Sequence, residues 1–307
     1  MNMNLLKINK AGKLTLLAVS MTVVIGMTGC GSGSMLERAG LTTAEKTESA
    51  ADTAAEKEKD SAVKEADGSS AEGNKSVDGK ATDNYVIDWK DDALEAKMRE
   101  LTGIQFGDIR YNDVQDITVL DISNLTATGE VPDEEKVKDI RALALLPNLR
   151  ELEASDNLIS DISVLGGMTN LEYLGLAKNE ITDVSALGSL TNLKVLYLYD
   201  NHISDIGNLG SLANLETFWG YNNEISDISA LAGMNKLTSL DLYNNQISDI
   251  SALGGLTNLE DLGLGANQIT DITPLGNLTK LKALTIVDNP IGDYSPIDNL
   301  NIEELVK

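Results

Sequence analysis

Residues 190–211 read LTNLKVLYLYDNHISDIGNLGS and residues 212–233 read LANLETFWGYNNEISDISALAG. Aligned, the two stretches share apolar residues, an asparagine and an aspartate at the same offsets, 22 residues apart. The register extends without a gap in both directions, so that seven copies fill residues 146–299. Within each copy a short alternating run, such as Leu174 and Leu176, has the period of a strand with one face turned inward. The remaining aliphatics, such as Ile181, Val184, Leu187 and Leu190, complete one core layer. A unit this short cannot bury its apolar face alone, and stacked copies bury a continuous one.

The segment L-x-x-L-x-L-x-x-N identifies the leucine-rich repeat, and the 22-residue form with Ile-Ser-Asp-Ile-Ser-x-Leu resembles the bacterial internalin family over about half the chain. The fold expected is an α/β repeat, a leucine-rich-repeat solenoid. A curved parallel β-sheet forms its concave face and short 3-10 or helical turns its convex face.

Two columns recur in every copy. Asn157, Asn179, Asn201, Asn223, Asn245, Asn267 and Asn289 end the strands, where inward-facing amides can satisfy buried backbone groups. Asp161, Asp183, Asp205, Asp227, Asp249, Asp271 and Asp293 form the second column. One carboxylate per copy lacks the several oxygens that calcium requires. Capping of a short helical turn is favoured instead, and no metal or cofactor is expected.

If Leu174 and Leu176 point inward, Tyr173, Gly175 and Ala177 point out, and the same register holds for every copy. Only 12 residues of the chain are aromatic, yet Tyr173, Tyr197, Tyr199, Trp219, Tyr221 and Tyr243 fall on outward positions of four successive strands. Strands about 4.8 Å apart would join these six rings in one exposed patch, with Asp200, Asp241 and Asp261 beside it. Clustered Trp and Tyr are typical of interface hot spots, although Tyr also suits strands for reasons unconnected with a ligand. In one copy the inward leucine pair is replaced by Phe218 and Gly220 beside Trp219. His202 occupies a variable turn slot, and no catalytic constellation is read.

Outside the repeats the organisation follows composition. Residues 1–29 hold Lys7, Lys10 and Lys13, an apolar run over 14–25 and then Gly26-Met27-Thr28-Gly29, as in a secretory signal peptide. With Cys30, the only cysteine, the stretch resembles a bacterial lipoprotein signal, although Met27 stands where leucine is usual. That resemblance implies a diacylglyceryl group on Cys30, whose two chains would hold the protein stably at a membrane. An ordinary signal peptide is the alternative. Residues 30–84 then form a polar, acidic linker with no aromatic residue and hardly a large aliphatic one, a composition that reads as disordered. Residues 85–145 are read as an N-terminal cap, with a helix carrying Leu94, Met98 and Leu101 on one face, Gly103 as its stop, and a degenerate first strand at 117–122 before a polar insertion over 124–138. Residues 300–307 are read as a C-terminal cap beginning with a strand over 300–305.

The net charge of −24, with 48 acidic against 24 basic residues, disfavours nucleic acid and anionic lipid surfaces as partners. The single Cys and single His leave little for zinc or nucleophilic chemistry. The expectation is a monomeric, lipid-anchored surface protein that binds a protein ligand through its concave face. Resemblance to internalins implies adhesion. A glycan ligand and a structural envelope role without a ligand are the alternatives.

Overall fold

The computed structural model describes residues 2–8, 14–20, 84–125 and 131–307. Cys30, the stretch read as a linker up to Asp83, and residues 126–130 of the insertion lie outside these. Asn2–Ile8 (β1) and Leu14–Ser20 (β2) pair antiparallel, with Asn2 opposite Ser20 and Ile8 opposite Leu14.

Residues 119–306 contain a sheet of nine parallel strands arranged in sequence order. They are Val119–Asp121 (β3), Glu151–Glu153 (β4), Tyr173–Gly175 (β5), Val195–Tyr197 (β6), Thr217–Trp219 (β7), Ser239–Asp241 (β8), Asp261–Gly263 (β9), Ala283–Thr285 (β10) and Glu304–Val306 (β11). Each central residue from Leu120 to Leu284, such as Leu174, Leu196 or Phe218, is buried and lies beside its equivalent on the next strand, whereas Leu305 of β11 is exposed. A five-residue 3-10 turn, such as Ser185–Ser189 or Ser229–Gly233, returns each of the first six copies from the far side of the core, and a three-residue turn, Ser295–Ile297, returns the seventh. The leucine-rich-repeat solenoid read from the period is therefore the fold.

The inward aliphatics form one unbroken core from Ile87 to Ile297. Burying a leucine in such a core contributes about 1.5–3 kcal/mol, and each copy supplies several.

The first strand is shorter than the 117–122 expected, because pairing with β4 is limited to Val119, Leu120 and Asp121. The last strand overlaps the expected 300–305 only at Glu304 and Leu305. Leu305 pairs with Leu284, an offset of 21, whereas Leu284 pairs with Leu262 at the usual 22. Losing one residue from the copy moves the pairing segment to Glu304–Val306.

At the other end, Asp92–Thr102 forms a helix (α1) with Leu94 and Met98 fully buried. Asp91 caps it, accepting from the Leu94 N–H at 2.8 Å with one oxygen. Its other oxygen accepts from the N–H groups of Lys138 and Asp139, tying the helix to the chain that enters the first full copy. Gly103 ends the helix with φ +75°, a conformation that side chains with a Cβ resist. A short second helix (α2, Tyr111–Val114) was not anticipated from the sequence.

Candidate binding surface

The surface is held in place by the asparagine column. Asn201 is typical: its Nδ2 donates to the carbonyls of Leu176, Leu198 and Tyr199 at 3.0–3.3 Å, and its Oδ1 accepts from the Ile181 N–H at 3.0 Å. The same arrangement serves Asn179, Asn223, Asn245, Asn267 and Asn289, so each amide joins its own turn to the preceding copy. Asn157, at the start of the array, accepts from the Val137 N–H and from a further amide, Asn124. Asn124 is 3% exposed and receives a hydrogen bond from Lys97 of α1. The sequence reading placed it at the start of the insertion, because it falls one residue short of the repeat register.

The residue before each of the seven asparagines has a left-handed backbone: Asp156, Lys178, Asp200, Asn222, Asn244, Ala266 and Asp288 lie at φ +52° to +58°. Asp and Asn tolerate that conformation best among residues with a Cβ, so the residue type follows from the backbone. Asp200 is thus a turn residue, and its carboxylate accepts from Asn222 at 2.6 Å, which in turn accepts from Asn244 at 3.0 Å.

A second asparagine column was also missed. Asn148, Asn170, Asn192, Asn214 and Asn258 each donate to a carbonyl of the preceding copy at 2.7–3.0 Å. Its interruption by Lys236 and Lys280 hides it in the sequence; these lysines donate instead to Asn214 and Asn258.

The aspartate column binds one residue earlier than a conventional N-cap. Each carboxylate accepts from the N–H two residues on, the first residue of the 3-10 turn, at 2.7–2.9 Å. Hydrogen bonds from the backbone and side chain of the following serine hold Asp161, Asp183, Asp227, Asp249 and Asp293 below the usual carboxylate range. Among the described residues, no group of three or more Asp, Glu, His or Cys is placed to hold a metal ion.

On the open face of the sheet, five of the six rings touch. Tyr197 stacks on Trp219 with centroids 4.6 Å apart, and Tyr199 stacks on Tyr221 at 4.4 Å. Tyr173 meets Tyr197 edge-on at 5.7 Å, and Tyr199 links the two stacks through contacts of 6.5 Å with Tyr197 and Trp219. Tyr243 does not join them, but leans over the next strand, where a Cβ on Gly265 would fall 2.8 Å from its ring.

The expectation that all six rings are exposed needs correction. Tyr199 is 9% exposed because its neighbours cover it, while Tyr173, Tyr197, Trp219, Tyr221 and Tyr243 are partly exposed. Gly175 and Ala177, read as outward, are also buried, Gly175 beneath the Glu153 side chain. Burial raises the phenol groups of Tyr173, Tyr199 and Tyr221 well above their ordinary value and that of Tyr197 to about 12. All four are neutral hydrogen-bonding groups at physiological pH.

Phe218 fills the volume vacated by Gly220. A Cβ at Gly220 would lie 2.9 Å from Phe218 Cζ, so the ring occupies the space of a second leucine. This exchange keeps the core closed beneath Trp219, whose Nε1 donates to Ser239 Oγ at 3.2 Å.

The charged residues of this face are all acidic. Glu151, Glu153, Asp241 and Asp261 stand on its outward positions, with no lysine or arginine among them. Glu153 accepts from the Tyr173 hydroxyl at 2.5 Å and from the Ser155 N–H at 3.0 Å. Asp241 accepts only from the Tyr243 N–H, at 3.0 Å, and burial pushes its carboxyl up to about 6. Burial also raises Glu151 and Asp261. Asp261 is the exposed member of the set.

The family described as Leucine Rich repeats (2 copies) matches overlapping segments across residues 147–299. Internalin C2 of Listeria monocytogenes is 33% identical to the chain, with a TM-score of 0.65, over 71% of this chain and 93% of that one. A second Listeria monocytogenes internalin, inlF, is 28% identical over 71% of this chain and 75% of its own, with a TM-score of 0.46. A leucine-rich-repeat protein of Leptospira interrogans shares the fold at 22% identity and a TM-score of 0.53, over 68% and 56% of the two chains. No curated protein sequence matches the chain. The uninterrupted 22-residue repeat, the nine-stranded parallel sheet and the likeness to internalin C2 over nearly all of that chain place this protein in the internalin-like leucine-rich-repeat family.

Proposed function

We propose that this chain is a surface module that binds a protein ligand through the concave face of its sheet. The observation that carries this reading is the five-ring stack of Tyr173, Tyr197, Tyr199, Trp219 and Tyr221. Stacked, preordered rings lose little freedom when covered, and large aromatic side chains dominate binding energy at interfaces. Asp241, Tyr243 and Asp261 extend the surface toward the later strands. The reading assigns no catalysis and no cofactor to the chain.

In this account the protein acts outside the cell as a monomer, with adhesion as its role and a lipid on Cys30 as its tether. No helix among the described residues is long and apolar enough to cross a membrane. Metabolic labelling with an alkynyl fatty acid tests the tether: wild type should take up label and Cys30→Ala should not.

The binding reading is tested by selecting protein ligands on the full-length protein and measuring them against Trp219→Ala combined with Tyr221→Ala. Binding should be lost while the circular dichroism spectrum stays the same. Unchanged affinity would overturn the assignment, and ligands found only on a glycan array would favour the sugar-binding alternative.

A further inference from the structure

Resting on that reading, we infer that the partner presents an arginine side chain, whose guanidinium packs on the free face of Trp219 and pairs with Asp241. The geometry begins with the ring stack. Tyr197 covers one face of the indole with the rings inclined by only 27°, from a strand that directly neighbours β7. The opposite indole face therefore turns toward β8, the strand on the other side. Asp241 is the residue of β8 directly beside Trp219 in the sheet register. The Nε1 bond to Ser239, also on β8, fixes the orientation of the indole.

Of the carboxylates that border the stack, Asp200 accepts from the Asn222 side chain, and only Asp241 is free of a side-chain donor. Glu153 is committed to the Tyr173 hydroxyl and the Ser155 N–H. Asp241 has a single backbone hydrogen bond on Oδ1, leaving Oδ2 without a protein donor. Its neighbour Gly263 has no side chain, and the carboxylate occupies the place a Cβ would take there. The outward positions of the whole face supply Glu151, Glu153 and Asp261 but no lysine or arginine.

A planar guanidinium fits both halves of this site. It stacks on aromatic faces, forms paired hydrogen bonds with carboxylates and sheds water more readily than an ammonium group. The charge balance points the same way, since a basic segment approaching an acidic, base-free surface is both steered and retained.

The probes are three tripeptide amides, acetyl-Gly-Arg-Gly, its lysine counterpart and its citrulline counterpart, titrated into the full-length protein. Citrulline keeps the shape of arginine and removes the charge. Binding is read from the indole N–H resonance of Trp219, assigned with Trp219→Phe and distinguished from that of the buried Trp89. The arginine peptide should shift the Trp219 resonance and bind about tenfold more tightly than the citrulline peptide. Asp241→Asn should abolish that difference, while Asp261→Asn should keep it. Equal binding of arginine and citrulline peptides, an unaltered preference in Asp241→Asn, or no shift with any peptide overturns the inference. If a selected protein ligand still depends on Trp219 in that case, the concave-face reading stands and only its partner chemistry fails.

Discussion

At the end of the strand all seven copies carry the same asparagine, whereas on the open face of the sheet no two copies carry the same trio of outward residues. The two regions are separated by a few residues of chain, yet follow opposite rules. Asn179 and Asn267 make the same set of hydrogen bonds four copies apart, because the same backbone groups must be satisfied at each turn. The open face has no such obligation, so its residues vary, and the variation gathers rings in the middle copies and acids beside them. A chain of repeats thus contains its own control: a column that never changes serves the coil, and a column that changes is available for recognition.

The comparison is broken most severely by removing an asparagine from the middle of the array. Asn201→Ala would leave the Ile181 N–H without its acceptor and take one of two donors from the carbonyls of Leu176, Leu198 and Tyr199, and should lower stability by about 2–4 kcal/mol in urea unfolding. A loss under about 1 kcal/mol would show that water replaces the amide at little cost.

The next test concerns the one copy whose core was altered beside the open face. Gly220→Leu alone should cost about 1–3 kcal/mol through overpacking against Phe218. Combining it with Phe218→Leu restores the leucine pair of the other copies and should recover most of that loss. Additive effects in this double-mutant cycle would mean that the ring and the glycine are independent.

Asp241 sharpens the contrast from the other side, as a residue that the free protein holds at a cost. Its carboxyl is raised from 3.8 to about 6 by burial, so the folded state disfavours the charged form. Well below pH 3.8 the group is protonated in both the folded and the unfolded chain and the cost vanishes; it grows as pH rises and is complete above about pH 6. One pKa unit is worth about 1.4 kcal/mol, and the remaining solvent contact reduces the effect. Asp241→Asn should therefore stabilise the protein by about 1–2 kcal/mol at pH 7.5 and by nothing measurable at about pH 3. A variant less stable than wild type at pH 7.5 would show that the carboxylate contributes to the fold.

The smallest effect is expected at the left-handed turn column. Ala266 lies at φ +52°, where the other copies have Asp, Asn or Lys. Ala266→Asn should add about 0.5–1 kcal/mol, and the same exchange at a right-handed position should not.

Much of this organisation was legible in the sequence, for a simple reason. A strict 22-residue period fixes which aliphatics share a layer, and strand alternation fixes which side each residue takes; Leu174 and Leu196 lie side by side as read. What failed depended on neighbours rather than on period. Tyr199 alternates outward yet is covered, because Tyr221 and Trp219 close over it from the next strand. Tyr243 shares its column with Tyr221 but lies over Gly265, where the absence of a side chain leaves room. Asn124 joins the ladder one residue out of step, a shift that backbone bending accommodates and pattern matching rejects. The left-handed column was hidden because its mixture of Asp, Asn, Lys and Ala has no common chemistry, only a common φ.

The account rests on the claim that unvarying columns build the coil and the varying face binds. Asn201→Ala and Trp219→Ala, measured together for urea midpoint and for affinity toward a protein ligand selected on the wild-type protein, test it most directly. Asn201→Ala should lower the midpoint strongly and, in the fraction that remains folded, bind as wild type. Trp219→Ala should keep the midpoint within the range of a surface substitution and lose binding at least about tenfold. Retained binding by Trp219→Ala at an unchanged midpoint would contradict the claim.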